Sequence, residues 1–182
     1  ATCAAPSVSL RLAHRRSSRG HVRCVFRKRD EQGDSLVGTF TDISKLLETR
    51  EKLREFQIAV EQSPVSIVLT DTFGNIEYVN PRFEQMTGYS SAQARGRNPR
   101  FLKSGYTSDE QYREMWDTIS KGNEWHGEFH NRNKHGELYW ESAVICPVRD
   151  RDGVIRHYLA VKEDMTHRKR AEMELIAAKE RA

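Results

Sequence analysis

The segment that decides the fold reads Ile76-Glu-Tyr-Val-Asn-Pro-Arg-Phe-Glu-Gln-Met-Thr-Gly-Tyr89. Its first four residues have the composition of a short strand. Asn80 is a preferred N-cap residue, Pro81 suits the first helical position, and Gly88 is the residue type that commonly ends a helix. The segment therefore predicts a strand that leads directly into a short helix.

Strand patterns lie on both sides of this segment. Residues 65–70 alternate in hydrophobicity before it, and residues 124–132, 137–148 and 154–163 have strand character after it. Glycine-containing turns separate the later segments. Five strands in this order predict an antiparallel sheet.

One long helix is predicted between the second and third of these strands. Ser108 has Gln111 three residues later, which is the pattern of a capping box, and Gly122 ends the helix. Its apolar residues recur at helical spacing and form one stripe: Tyr112, Met115, Trp116, Ile119. The whole pattern predicts an α+β fold with short helices on one face of a five-stranded antiparallel sheet and coiled-coil-type helices on either side.

Composition excludes several classes of function. The chain has 30 basic and 26 acidic residues, interleaved, for a net charge of +4, so a nucleic-acid groove is disfavoured. Cys3, Cys24 and Cys146 have no C-x-x-C spacing, which argues against a disulfide frame or a zinc site. No apolar run approaches the ~20 residues that cross a bilayer. We expect a cytoplasmic segment without membrane contact.

Part of the sequence is repeated. Asp42-Ile-Ser44 is echoed by Asp164-Met-Thr166, and Leu53 by Leu175, and both pairs are separated by the same 122 residue numbers. Residues 8–12, 21–26 and 35–44 also have strand character. A match at one fixed interval predicts tandem domains, the first of which lacks its beginning.

A basic loop, Gly96-Arg-Asn-Pro-Arg-Phe-Leu-Lys-Ser-Gly105, follows the short helices. Arginine binds phosphate through a bidentate pair of hydrogen bonds. A basic loop beside a small sheet is therefore a natural site for a flat ligand that is partly anionic.

Residues 56–166 resemble a PAS domain. The resemblance is carried by E-Q-S-P-V-S-I-V-L-T-D at residues 61–71, by the segment quoted first, and by the closing D-M-T at residues 164–166. The loop text N-P-R-F-L-K is similar to the N-C-R-F-L-Q of blue-light-sensing LOV domains, a PAS subfamily. Pro99 stands where those domains have their photoreactive cysteine, so the resemblance argues against LOV photochemistry.

The resemblance also divides the chain into four parts. They are the C-terminal part of a preceding PAS-like domain, a linker helix, a complete PAS domain and a C-terminal signalling helix, predicted at residues 1–44, 45–60, 61–166 and 167–182.

A flavin site is what the resemblance implies. Asn98, Arg100, Phe101 and Lys103 would belong to its loop, and Thr107 would lie near the phosphate side of the cofactor. Lys103 replaces the LOV glutamine that contacts the ribityl chain, which leaves that contact open.

Strand and helix residues would complete the site. Trp116 and Asn131 have the fifteen-residue spacing of FAD-binding PAS domains in nitrogen-fixation and methane-oxidation regulators, and Phe129 shares the strand face of Asn131. Pattern alone leaves Trp116 equally a core residue. It also leaves Asn131 equally a satisfied core amide.

Two charged residues depart from the LOV pattern. Glu141 replaces the second LOV asparagine and is predicted opposite Asn131, within a residue of register, while Lys162 replaces a LOV glutamine. If both point inward they must pair, because an isolated buried charge is prohibitive. Alternatively, the strand ends twist outward and the two residues form a surface contact.

The expected function is a sensory PAS module that holds a flavin, with FAD favoured over FMN, and reports redox or oxygen state through its C-terminal helix. The alternative is a cofactor-free PAS module for dimerisation and signal relay. Haem is disfavoured because residues 108–121 contain no histidine. The sequence has no evident catalytic constellation. The expected partners are a second copy through the flanking helices and a downstream signalling domain, in a parent protein such as a sensor histidine kinase.

Overall fold

The structure, a computed structural model, describes residues 8–13, 19–29 and 35–181, with side chains from residue 41 onward. The chain divides into two compact units, Ala1–Ile58 and Ala59–Ala182. Cys3 and residues 30–34 lie outside the described residues.

The first unit contains a three-stranded antiparallel sheet in the order β1-β2-β3. Its strands are β1 (Val8–Ala13), β2 (Arg19–Arg29) and β3 (Ser35–Asp42), and helix α1 (Ser44–Glu61) follows. The three strands expected from the sequence are therefore present. That they are the last part of a PAS-like domain stays a prediction.

The second unit contains a five-stranded antiparallel sheet with helices between its second and third strands. Its elements in chain order are β4 (Ser66–Asp71), β5 (Ile76–Val79), α2 (Pro81–Thr87), α3 (Ser91–Ala94), the 3-10 helix η1 (Pro99–Leu102), α4 (Asp109–Ser120), β6 (Trp125–Arg132), β7 (Leu138–Arg149), β8 (Ile155–Asp164) and α5 (Thr166–Glu180). The predicted α+β class with a five-stranded antiparallel sheet is confirmed.

The spatial order of this sheet is β5-β4-β8-β7-β6, so the last strand lies at its centre. Burial alternates along β4, β7 and β8, because successive side chains of a strand point to opposite faces. The buried face, here called the inner face, packs with α4 and the short helices around one apolar core. The other face is called the outer face.

Asn80 holds the start of this unit together. Its side-chain oxygen accepts hydrogen bonds from the backbone N–H groups of Phe83 at 3.2 Å and Ile67 at 2.9 Å. Its side-chain nitrogen donates to the carbonyl groups of Val60 and Val65. The predicted N-cap is therefore correct, and the same fully buried amide also joins β4 to the end of α1.

The predicted capping box at Ser108 is only half formed. The Ser108 hydroxyl accepts from the Gln111 N–H at 3.2 Å, but the Gln111 side chain donates to the Glu128 carbonyl at 2.7 Å. Tertiary packing therefore uses the glutamine to fasten α4 to β6. A complete capping box occurs instead at Ser90 and Gln93.

The two copies of the repeated segment have the same local structure. The Ser44 N–H donates to the Asp42 carboxylate at 2.9 Å, and the Thr166 N–H donates to Asp164 at the same distance. Both strand-to-helix junctions, β3–α1 and β8–α5, are therefore closed by an aspartate two residues before the helix.

Candidate ligand-binding cavity

A cavity lies between the inner face of the sheet and helix α4. Its volume, counted as the space open to the centres of water molecules, is about 150 Å³. By this measure one water needs about 10–15 Å³, so the cavity has room for roughly ten waters. Its lining residues are Val68, Thr70, Gly74, Asn98, Pro99, Arg100, Lys103, Tyr112, Met115, Trp116, Ile119, Phe129, Asn131, Ile145, Tyr158, Ala160 and Lys162.

The broad walls of the cavity are apolar. Val68, Ile145 and Ala160 come from β4, β7 and β8, and Met115 and Ile119 come from α4. All five are buried. Aliphatic side chains from both the sheet and the helix make the cavity suitable for a flat ring with two apolar faces.

Aromatic residues extend these walls without filling the space between them. Trp116 meets Tyr158 edge to face, with ring centroids 5.8 Å apart, and Tyr112 stacks on Phe129 at 5.4 Å. Burial raises the pKa of the Tyr112 hydroxyl above its ordinary value, so this hydroxyl stays neutral at physiological pH.

Gly74 lets the turn between β4 and β5 approach the cavity. Its φ is +83°, in the left-handed region, and an added Cβ would lie 2.8 Å from both the Asn98 amide nitrogen and the Trp116 ring. A side chain at this position would therefore displace two lining residues.

The basic loop contributes a cationic edge. The Asn98 side chain accepts from the Arg100 N–H at 3.1 Å and thereby caps η1. Lys103 Nζ lies 3.5 Å from the centroid of the Tyr112 ring and 3.8 Å from the Asp109 carboxylate. An isolated bridge pairs Lys103 with Asn131, so the loop is fastened to the edge strand β6.

A buried ion pair lies beside the lining. Lys162 Nζ donates to Glu141 Oε1 at 2.5 Å, and Asn131 Nδ2 donates to the same oxygen at 2.9 Å. Glu141 is 0% exposed, while Asn131 and Lys162 are 4% and 7% exposed. The structure therefore rejects the alternative in which Glu141 and Lys162 meet at the surface.

The predicted register of Glu141 is wrong. Glu141 pairs with Phe129, and Asn131 pairs with Tyr139, so the two polar residues lie on a diagonal. The tight turn after β6 sets this register, with Asn133 N–H donating to the Glu137 carbonyl at 2.9 Å. A two-residue offset keeps both side chains on the inner face, and they still meet.

Seven of the ten predicted site residues line the cavity: Asn98, Arg100, Lys103, Trp116, Phe129, Asn131 and Lys162. The other three, Phe101, Thr107 and Glu141, are not among the lining residues. Phe101 packs on Tyr89 and beneath Arg97, whose guanidinium carbon is 3.9 Å from the ring centroid. The ligand-binding role of all ten residues stays a prediction.

Thr107 and Glu141 support other residues. The Thr107 hydroxyl accepts from the backbone N–H of His130 at 3.0 Å, which ties the loop to β6. Glu141 lies behind Asn131 and Lys162. Burial, assisted by the Glu141 charge, raises the pKa of the neighbouring Tyr139 hydroxyl far above its ordinary value of 10.0.

Several lining residues were not predicted as ligand contacts. Tyr112, Met115 and Ile119 were identified as an inward stripe, and the alternation of β4 and β7 contained the signal for Val68 and Ile145. These residues have the chemistry of an ordinary core. A sequence pattern does not distinguish an apolar residue that faces a cavity from one that fills the core.

The outer face carries a second, separate cluster. The rings of His130 and Trp140 stack at 4.1 Å, and Lys169 of α5 lies 5.3 Å from the Trp140 centroid. Lys169 also forms an ion pair with Glu128 at 2.7 Å. His130 is therefore half-buried against Trp140.

The described residues contain neither a cluster of potential metal ligands nor a membrane-spanning helix. Among their side chains, no group of three or more potential metal ligands comes together. None of the helices described here is long and apolar enough to span a membrane.

Residues 64–167 match the family model described as PAS domain. The match covers more than half of the chain, and it coincides with the sheet, helices and cavity of the second unit. The chain therefore belongs to the PAS domain family. Its second unit is a sensory PAS module of the kind found in signalling proteins.

Two curated relatives illustrate the relationship. The chain is 43% identical over 111 residues to a nitrogen fixation regulatory protein of Klebsiella pneumoniae, covering 61% of this chain and 22% of the relative. It is 32% identical over 105 residues to blue-light-activated histidine kinase 2 of Erythrobacter litoralis, covering 56% of this chain and 30% of that protein. The chain thus spans less than a third of either relative.

Solved structures show the same fold. A LOV domain from a blue-light-activated histidine kinase of Erythrobacter litoralis is 30% identical, with a TM-score of 0.54 over 58% of this chain and 99% of that domain. An RNA-binding light-oxygen-voltage receptor is 27% identical, with a TM-score of 0.64 over 73% of this chain and 39% of the receptor. The PAS domain here is therefore structurally similar to LOV domains.

Proposed function

We propose that this chain is a PAS sensor module that binds a flavin non-covalently and reports redox or oxygen state through helix α5. The observation that carries the proposal is the cavity, which combines apolar walls with polar residues and a cationic loop. Pro99, on the lining, offers no thiol for a covalent bond. Its place in the LOV pattern is the reason to expect redox sensing instead of LOV photochemistry.

The residues present fit a flavin. Apolar walls suit the faces of its ring system, and Asn131 and Lys162 provide an acceptor and a donor for its polar edge. Arg100 and Lys103 provide two cations for the anionic tail of either flavin. We favour FAD over FMN because Trp116 and Asn131 have the spacing of the FAD-binding PAS domains that this chain resembles. Haem remains disfavoured because helix α4 carries no histidine.

A flavin supplies reversible transfer of electrons and protons, and the protein supplies its position and surroundings. The apolar walls exclude water from the ring. Lys162 lies on β8, the strand that leads into α5. A change in the charge of a ligand beside Lys162 would therefore act on β8, the strand that is directly followed by helix α5.

The start of α5 is fastened to the strand that carries Glu141. The Met165 N–H donates to the Trp140 carbonyl at 2.9 Å, and the Trp140 N–H donates to the Thr166 hydroxyl at 3.0 Å. Trp140 and Glu141 are successive residues on opposite faces of β7. A shift of Glu141 on the inner face would therefore move Trp140, which anchors α5 on the outer face, and this movement is the proposed route for output.

The flanking helices provide the proposed partner surface. Leu46, Leu53 and Phe56 of α1 are exposed, as are Met173 and Leu175 of α5. Exposed apolar side chains on helices commonly mark interaction sites. We propose homodimerisation through these helices, with a downstream signalling domain in a cytoplasmic parent protein such as a histidine kinase.

Purification of the protein tests the proposal directly. We expect a yellow protein with flavin absorption bands that dithionite bleaches and air restores. A protein that is colourless, and stays colourless after refolding with excess FAD, would instead support the cofactor-free module for dimerisation and relay.

Two substitutions locate the site. Trp116→Ala and Asn131→Ala should each weaken FAD binding by about tenfold or more, because a lost buried contact costs roughly 1–3 kcal/mol. Asn123→Ala, at an exposed asparagine beyond α4, is the matched control. Fluorescence titration measures the affinities, and wild-type affinity in both site variants would place the flavin elsewhere.

A further inference from the structure

We infer that Glu141 is a positioning residue that never touches the ligand and sets the charge and hydrogen-bonding character of the cavity through Lys162 and Asn131. This inference rests on the proposed function, since the ligand concerned is the flavin. It replaces the expectation that Glu141 contacts the cofactor. It also gives the carboxylate a role that can be measured.

The geometry places Glu141 one layer behind the cavity. Lys162 and Asn131 line the cavity and Glu141 does not. Both lining residues donate to the same oxygen of Glu141, at 2.5 Å and 2.9 Å. One fully buried carboxylate therefore controls two polar groups that face the ligand.

The first consequence concerns Asn131. Its amide nitrogen is bonded to Glu141, so its carbonyl oxygen is the end that can accept a hydrogen bond from a ligand. The carboxylate thus presents Asn131 to the cavity as an acceptor. A ligand edge with an N–H group fits that orientation.

The second consequence concerns charge. Lys162 brings a cation to the cavity wall, and Glu141 neutralises it at 2.5 Å. Loss of the carboxylate would leave the lysine charge without a counter-ion in a buried site, where charge interactions are strong. Such a site would favour the electron-rich, reduced form of the ligand.

Stability does not explain this pair. Glu141 Oε2 is buried and has no hydrogen-bond partner among the described residues. A buried ion pair is weak evidence for stability, because apolar replacements of similar volume are often neutral or stabilising. The arrangement is better explained by what it does to the cavity.

A double-mutant cycle tests the inference with Glu141→Gln, Lys162→Met and the combined variant. The control is Glu128→Gln, which removes a carboxylate that pairs with Lys169 on the outer face. Two quantities are measured for each protein. They are the ratio of the FAD dissociation constants of the oxidised and reduced states, from the midpoint potential, and the unfolding equilibrium of the ligand-free protein.

We expect Glu141→Gln to shift the ratio about tenfold toward the reduced state, which is about 30 mV for a two-electron couple. Lys162→Met should shift it the other way, and the combined variant should return close to wild type. Glu128→Gln should leave the ratio unchanged. Each single variant should also unfold more readily, by roughly 100-fold, with a smaller loss in the combined variant.

The possible outcomes distinguish a failure of the inference about Glu141 from a failure of the proposed flavin-binding function. If the wild type binds FAD but Glu141→Gln leaves the ratio unchanged, or the combined variant keeps its full shift, the inference is overturned while the proposed function stands. If the wild type binds no FAD, the proposed function fails, and so does the claim about the ligand. Additive stability losses would then also refute the coupling to Lys162. If a single variant does not fold, the inference is tested by comparing the ratio of FAD dissociation constants in the combined variant with that in the control Glu128→Gln. A tenfold shift of this ratio in the combined variant overturns the inference.

Discussion

A lysine–glutamate pair lies on each face of the five-stranded sheet, within the sheet on the inner face and between the sheet and α5 on the outer face. On the inner face Lys162 and Glu141 have side chains only 8% and 0% exposed, whereas on the outer face Lys169 and Glu128 are 24% and 40% exposed. A surface pair contributes about 0–1 kcal/mol and a buried one carries a large desolvation cost. The difference indicates that the exposed pair attaches α5 to the sheet, whereas the buried pair acts on the ligand cavity.

The aromatic residues follow the same division. Inside, Trp116 and Phe129 border open space, and each has one ring contact with a neighbouring tyrosine. Outside, the His130 and Trp140 rings stack on each other and lie beside the first turns of α5. We therefore expect inner-face changes to alter ligand binding and outer-face changes to alter the helix.

The largest effect should come from filling the cavity. Ala160→Phe places a ring in the space that Ala160 lines on β8, and we expect flavin affinity to fall by more than 100-fold. Val161→Phe, one residue along the same strand on the outer face, is the matched control. Absorbance of the bound flavin measures occupancy, and circular dichroism verifies the fold. Normal occupancy in Ala160→Phe would mean that the flavin lies outside this cavity.

A smaller effect is expected from the outer face. Trp140→Ala removes the stack with His130 and the contact with Lys169, which together are worth about 1–2 kcal/mol. Hydrogen exchange in the first turns of α5 should accelerate about tenfold, while flavin affinity stays at the wild-type value. Trp116→Ala should weaken flavin binding and leave hydrogen exchange in α5 at the wild-type rate. Equal effects of both variants on binding would remove the distinction between the two faces.

The smallest effect concerns pH. Burial lowers the pKa of His130 below its ordinary value of 6.5. The unfolded chain therefore binds the proton first, so the free energy of unfolding falls as pH drops through 6.5 toward the folded pKa. The contribution is complete above pH 6.5. His130→Phe should lose less stability between pH 7.5 and pH 5.5 in urea denaturation than the wild type and the exposed-site control His126→Phe. Parallel losses would show that another group titrates.

Local features were predictable because they depend on short-range chemistry. Asn80, Pro81 and Gly88 identified the helix α2, and the structure confirms its cap and its left-handed end. The stripe on α4 was predictable for the same reason. Gln111 shows the limit, because its side chain bonds to the Glu128 carbonyl of a distant strand and not to its own helix start.

The candidate site was only partly predictable. Alternation placed Asn131 on the face of Phe129, yet it left the direction of Lys162 open and did not show that Glu141 lies behind both residues. That position depends on the register of β6 and β7, which the turn sets and which differs from the expected pairing. Thr107 and Phe101 belong to the same category, since their contacts come from the path of the loop.

The sequence by itself determined the elements, the sheet class and which residues of one strand share a face, because periodicity, caps and turns act within a few residues. Only the tertiary structure decided that the inner face encloses a cavity and that Lys162 finds Glu141 there. Those facts depend on the packing of α4 and the loop against strands far away in the chain, and one sequence contains no direct record of such distances.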